Sequence, residues 1–176
     1  DWSSDVCSSD LFMTGGGGVG IRGTGSAPYF ASCMIVDNIV TQAVSTEGGG
    51  GVLVYGAVSP VFERCAIARN YVGPSGVIGN AVLGYNNAAP TFINCLIAQN
   101  TGGSGAIAVR GACHVTVISG TMDANHGPAI YTRANTGNLV ELTNTIISNH
   151  TGQAVYNYDA DNEVRFQNTL IHAARY

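Results

Sequence analysis

The chain has 176 residues, enough for one domain with a sizeable core, and only 10% of them are charged. Seven basic residues, all arginine, against eleven acidic ones give a formal charge of −4, which argues against nucleic acid or an anionic membrane as partner. No apolar run reaches the length of a transmembrane helix, about 20 residues; Gly, Asn, Ser and Thr carry the polarity.

The first eleven residues, Asp1 to Leu11, have no apolar period and contain the single Trp. They resemble the translated read of a sequencing adapter and are set apart from fold reasoning. The protein proper is expected at residues 12–176, as a fragment of a longer chain, so a leader peptide is not expected to be visible. Without Asp1, Asp5 and Asp10, seven positive and eight negative charges leave −1.

From Val19 onward one unit recurs. A Gly-rich turn precedes a short apolar run, such as Gly51-Val52-Leu53-Val54-Tyr55-Gly56 or Ala106-Ile107-Ala108-Val109-Arg110-Gly111. Comparable runs end at Arg22, Tyr85, Arg133 and Tyr158. β-branched residues at period two predict strands. After a loop comes Pro-x-Phe-x-x-Cys-x-Ile-x-x-Asn at Pro60 to Asn70 and again, letter for letter, at Pro90 to Asn100; Pro28 to Asn38 keeps the frame. The Phe column continues from Phe30, Phe62 and Phe92 through Val117, Leu142 and Phe166, in steps of 32, 30, 25, 25 and 24 residues. The Ile column (Ile35, Ile67, Ile97, Met122, Ile147, Ile171) steps alike. A period in this range marks a solenoid, in which each unit buries its apolar face against its neighbours.

Phe and Ile stand five apart, an odd number, yet both are apolar in every unit. Strict alternation would put them on opposite faces, so a bend is predicted near Arg64 and Asn94. Three short strands per coil, and no helical period, predict an all-β, triangular, parallel β-helix of about six coils. Asn38, Asn70, Asn100 and Asn125 then form a ladder at a corner, capped by His150, because Asn tolerates left-handed backbone and its amide bonds the amides above and below. Cys33, Cys65 and Cys95 share one column, continued by Gly120, Thr145 and Thr169. One thiol per coil with no His beside it lacks metal-ligand spacing, so a buried, unpaired stack is expected.

The Gly-rich strand, the Pro-x-Phe strand and the Cys-x-Ile-x-x-Asn corner resemble the right-handed parallel β-helix (PbH1-type) repeats of bacterial secreted and surface proteins, an architecture shared with pectate-lyase-like folds. The resemblance covers roughly Thr14 to His172. It implies an extracellular or cell-surface setting and carbohydrate as the commonest ligand class, but the superfold hosts lyases, glycosidases, esterases, adhesins and spacers alike.

For catalysis, glycoside hydrolysis requires two carboxylates about 5 to 9.5 Å apart, and lyases of this superfold imply a calcium site with a nearby Arg or Lys base. Asp37 and Asp123 fall three coils apart, so no catalytic residues are assigned. Glu141 and Arg165 share a column on adjacent coils and are expected to form a surface ion pair. Asp159, Asp161 and Glu163 are the one local acidic cluster and a weak Ca²⁺ candidate; no cofactor is expected. His126-Gly127 resembles the His-Gly of β-helical galacturonases, without the accompanying Asp pair. Arg22, Tyr55, Tyr85, Arg110, Arg133 and Tyr158, at the ends of the first strands, predict one outward stripe, with Leu53, Tyr131 and Tyr156 two residues earlier on the same face. Arg110 and Arg133 fall side by side, and an offset by Asp159, Asp161 or a bound anion is expected. The reading is a non-catalytic extracellular or surface segment, carbohydrate-binding, adhesive or spacer. The alternative is the body of a polysaccharide lyase or glycoside hydrolase with catalytic coils partly outside the fragment, marked by a carboxylate pair, or an acidic trio with an Arg, on one outward face of adjacent coils.

Overall fold

The structure is a computed structural model, and it describes residues 17–41, 48–73, 79–133 and 137–172. Residues 1–11, set apart on sequence grounds, lie outside them. The first coil holds β1 (Val19–Arg22), β2 (Tyr29–Ala31), β3 (Met34–Val36) and β4 (Ile39–Val40); the second β5 (Val52–Tyr55), β6 (Val61–Glu63), β7 (Ala66–Ala68) and β8 (Tyr71–Val72). The third holds β9 (Gly79–Tyr85), β10 (Thr91–Ile93), β11 (Leu96–Ala98) and β12 (Thr101–Gly102). The fourth holds β13 (Gly105–Arg110), β14 (His114–Ile118) and β15 (Thr121–Asp123); the fifth β16 (Ile130–Arg133), β17 (Leu139–Thr143) and β18 (Ile146–Ser148); the sixth β19 (Val155–Asn157), β20 (Glu163–Gln167) and β21 (Leu170–Ile171).

First, second and third strands stack into three six-stranded parallel sheets, called here sheets one, two and three. The triangular expectation needs a correction: β4, β8 and β12 add a fourth, three-stranded sheet in the first three coils. The first two are the longer repeats, and in all three coils the segment after the Asn corner is longer than in the later ones, so a further pair of residues can extend there and bond its neighbours.

The corners explain the odd Phe–Ile spacing. Between sheets two and three sits one left-handed residue per coil: Ser32, Arg64, Asn94, Ser119, Asn144 and Asn168, with φ of 48 to 56°. A single residue there turns the chain and resets the alternation, so both apolar columns face inward. The second corner uses Asp37, Arg69, Gln99, Ala124 and Asn149, with φ of 52 to 60°. The ladder asparagines follow these residues and are not left-handed themselves, which corrects one reason given for their presence. Their role is hydrogen bonding.

Each buried Asn reaches the next coil. Asn38, Asn70 and Asn100 donate from both backbone N and Nδ2 to the Oδ1 of Asn70, Asn100 and Asn125, at 2.8 to 3.1 Å. The Nδ2 of Asn70, Asn100 and Asn125 also donates to the carbonyl of Ile35, Ile67 and Ile97. His150 takes the fifth place and copies that bond: its Nε2 lies 3.2 Å from the Met122 carbonyl oxygen. A second, shorter ladder runs at another corner, where Cys113 N donates to Asn138 Oδ1 and Asn138 N and Nδ2 donate to Asn162 Oδ1.

The core lies between the sheets. Phe30, Phe62 and Phe92 stack at 4.8 and 5.1 Å with rings within 12° of parallel, and the register carries the column on through Val117, Leu142 and Phe166. Full burial of Phe62 and Phe92 stabilises by about 2 to 3 kcal/mol each. The expected burial is only partial in the first coil, where Phe30 is half-buried, and fails in the last, where Phe166 is 43% exposed, because each has a described coil on one side only.

Candidate functional site

Sheet one turns alternate side chains outward. Strand pairing places Arg22 opposite Tyr55, Tyr55 opposite Tyr85, Tyr85 opposite Arg110 and Arg110 opposite Arg133, and Tyr158 N donates to the Thr132 carbonyl, extending the column. The six side chains therefore form one stripe. Arg22 lies over the Tyr55 ring, Arg110 over Tyr85 and Arg133 over Tyr158, at 5.3 to 5.4 Å from the centroids. Tyr55 and Tyr85 meet edge to face. In the neighbouring column Tyr131 and Tyr156 stack at 5.3 Å, 6° from parallel, and Tyr156 touches Tyr158. Burial raises the Tyr131 phenol above its ordinary pKa.

This packing decides what the stripe can offer. Ring faces turned along the axis are used by neighbouring rings and guanidiniums, so the outer rim presents phenol oxygens and guanidinium edges. A ligand there would meet hydrogen-bond donors. Among the described residues the ion pairs involve neither Arg110 nor Arg133. Neither charge is paired with Asp161 among the described residues; instead each guanidinium lies over a Tyr ring. Leu53 does not line the exposed face. It points outward yet is 0% exposed, like Leu83 at 1% and Ala108 at 0%, whereas Tyr156 and Tyr158 are 42% and 56% exposed. The face is most open at its two ends, at Arg22 in the first coil and at Tyr156 and Tyr158 in the sixth, with Tyr55, Tyr85, Arg110, Tyr131 and Arg133 half-buried between them.

A second constellation lies on the outer face of sheet two. The Glu141–Arg165 pair forms as expected, with Nη1 3.2 Å from Glu141 Oε1, on strands in register. It is half of a larger network. Arg165 also donates from Nε and Nη2 to both oxygens of Glu163, at 2.7 and 2.8 Å. His114 Nε2 lies 2.7 Å from Glu141 Oε2. His114, then Arg165, holds Glu141 below the usual carboxylate range, and Arg165 does so for Glu163. Two carboxylates with an Arg on one outward face of adjacent coils is the feature the sequence reading did not find. Only Glu141 and Arg165 were paired there. The signal was present: His114 and Glu163 lie two residues before Thr116 and Arg165 on the same strand faces.

The weak Ca²⁺ candidate is not assembled. Glu163 turns both oxygens to Arg165, Asn162 is buried between its acidic neighbours, and among the described residues no group of three His, Cys, Asp or Glu side chains is placed to hold a metal ion. Cys65, Cys95 and Cys113 are free, buried thiols, whereas Cys33, expected to be buried with the column, is only half-buried. The sulfurs of Cys65 and Cys95 donate to the carbonyls of Glu63 and Ile93 two residues back, as the Thr145 hydroxyl does to Thr143. The Cys65 thiol is pushed up by its bond to Cys95 and by burial, and Cys113 to about 11 by burial, so neither is an activated nucleophile. Asp123 accepts from Ser148 Oγ at 2.6 Å and Asn149 Nδ2 at 2.8 Å, far from Asp37, which pairs with Arg69.

Comparison with known proteins bears on the fold. No curated protein and no solved structure matches the chain. The family model described as right handed beta helix region matches residues 13–176. Together with sheets whose strands are all parallel and wound coil upon coil, this match shows that the chain belongs to the right-handed β-helix family.

Proposed function

We propose that the chain is a non-catalytic segment of an extracellular or cell-surface protein that holds an acidic polysaccharide along the outer face of sheet one, in an adhesive or spacer role. The observation that carries this reading is the in-register pair Arg110–Arg133, each guanidinium set against a Tyr ring and neither engaged by a carboxylate among the described residues. Planar guanidiniums suit carboxylates and sulfates, and the column spans about 24 Å over five coil steps, the reach of several sugar units. Tyr131, Tyr156 and Tyr158 add phenol edges in its last two coils. The test is calorimetry with oligogalacturonate and heparin-derived hexasaccharides against the parent and an Arg110→Ala, Arg133→Ala double variant. Binding by the parent and its loss in the folded variant support the reading; no binding, or equal binding, removes it.

A second reading, the body of a polysaccharide-cleaving enzyme, draws on Glu141, Glu163 and Arg165 sharing one outward face. Hydrolysis asks for one carboxyl kept protonated, whereas His114 and Arg165 pull Glu141 toward ionisation and Arg165 does so for Glu163. That favours binding over bond cleavage.

A further inference from the structure

The outer face of sheet two carries an open depression of about 700 Å³, within the size range of small-ligand sites. Glu141, Glu163 and Arg165 form one side of it, and Thr116, Thr143 and Gln167 line it with uncharged polar groups. We infer that this depression is a binding site for a neutral polyhydroxylated ligand, one or a few uncharged sugar units, separate from the stripe on sheet one.

The charge argues for a neutral ligand. Two carboxylates against one guanidinium leave a negative surplus, and Arg165 already spends Nε, Nη1 and Nη2 on Glu163 and Glu141. An anionic sugar would meet carboxylates and no unspent cation. The geometry argues for hydroxyls. Mutual bonding of His114, Glu141, Arg165 and Glu163 fixes planar groups in place before a ligand arrives, which lowers the ordering cost of binding. Each carboxylate oxygen can accept more than one hydrogen bond, so engaged carboxylates still accept from hydroxyls. The side chains of Thr116, Thr143 and Gln167 have no protein hydrogen-bond partner among the described residues, so their donors and acceptors are open to the depression. Ile118 adds apolar surface for the C–H face of a sugar ring. Acidic and neutral saccharides would then be sorted onto adjacent sheets by charge alone.

The test uses neutral tetrasaccharides of glucose, mannose or galactose, titrated into the isotopically labelled chain. Amide shifts should cluster at Thr116, Thr143, Arg165 and Gln167, with the stripe unmoved. Thr143→Val, which keeps shape and removes the hydroxyl, should weaken binding roughly fivefold. Gln167→Ala should do the same, and Arg110→Ala with Arg133→Ala should change nothing. Oligogalacturonate should not compete. If no neutral tetrasaccharide shifts these amides at millimolar concentration, or if Thr143→Val and Gln167→Ala both bind as the folded parent does, the inference is overturned. Loss of acidic-glycan binding at the stripe would leave it standing.

Discussion

Arg110 and Arg133 are opposite each other on adjacent strands, yet their guanidiniums lie against rings in opposite directions along the axis, Tyr85 one coil before and Tyr158 one coil after. Like charges so placed are unfavourable by about 0.2 to 1 kcal/mol, and each exposed cation–π contact returns about 0.5 to 1 kcal/mol. Removing both arginines is therefore expected to change unfolding free energy by less than about 1 kcal/mol, while acidic-glycan affinity falls at least tenfold. Chemical denaturation beside calorimetry separates the two effects; a large loss of stability would mean the stripe is mainly structural.

The Asn ladder predicts the opposite balance. Asn100 accepts from Asn70 and donates through Nδ2 to Ile67, Ala98 and Asn125. Asn100→Leu leaves buried amides and carbonyls unpaired on both sides, at a cost on the order of 3 kcal/mol or more. Urea denaturation reads this directly. A cost below about 1 kcal/mol would show that the coil relaxes around the gap.

His150 gives a pH dependence. Burial holds it below its ordinary value of 6.5, only partly offset by its bond to Met122 and by Asp123 nearby. The unfolded chain therefore binds the proton more readily. The contribution is fully present above about pH 6.5 and declines as pH falls from there through the lower folded value. Among the described residues its Nδ1 has no hydrogen-bond partner. His150→Asn restores the ladder residue and is expected to raise the melting temperature at pH 5.5 more than at pH 7.5. Equal shifts at both pH values would contradict a neutral buried imidazole.

The thiol column is expected to tolerate an oxygen. Cys65→Thr keeps a donor for the Glu63 carbonyl, as Thr145 has for Thr143, and should cost no more than about 1.5 kcal/mol. Mass spectrometry without reductant should find Cys33, Cys65 and Cys95 uncrosslinked, and Cys113 should react with thiol reagents only on unfolding. A Cys65–Cys95 crosslink would refute this.

At the second corner Ala124 holds a φ of 52°, a conformation that costs a residue with a Cβ roughly 1 kcal/mol. Asn, which already occupies the equivalent place at Asn149, tolerates it better. Ala124→Asn is therefore expected to stabilise by a few tenths to about 1 kcal/mol, measured as a shift of the urea midpoint.

Much of this molecule was legible because its repeat puts chemically equal residues one coil apart. The Phe, Ile, Asn and Cys columns, the bend at Arg64 and Asn94, and the Arg–Tyr stripe follow from counting. What counting hid was where the length changes fall. The extra strands β4, β8 and β12 occupy the one segment without a repeated letter pattern. It also hid lateral neighbours on an outward face. His114 and Glu163 join Glu141 and Arg165 because long side chains cross between columns, and a column-by-column reading treats each separately. The buried state of Leu53 was equally hidden, since parity gives direction and says nothing about cover.

The inter-coil backbone bonds all run along the solenoid axis, which gives the molecule a mechanical character. Pulled by its two ends, it loads only the outermost coil, whose bonds break one after another like a zipper, while the coils behind it carry no shear. Extension would then advance in instalments set by the repeat. The final coils, about 25 residues each, would release roughly 85 Å apiece, and the longer first ones, about 30 to 32 residues, roughly 105 Å. A chain built this way yields at low, nearly constant force and gives out length in measured amounts.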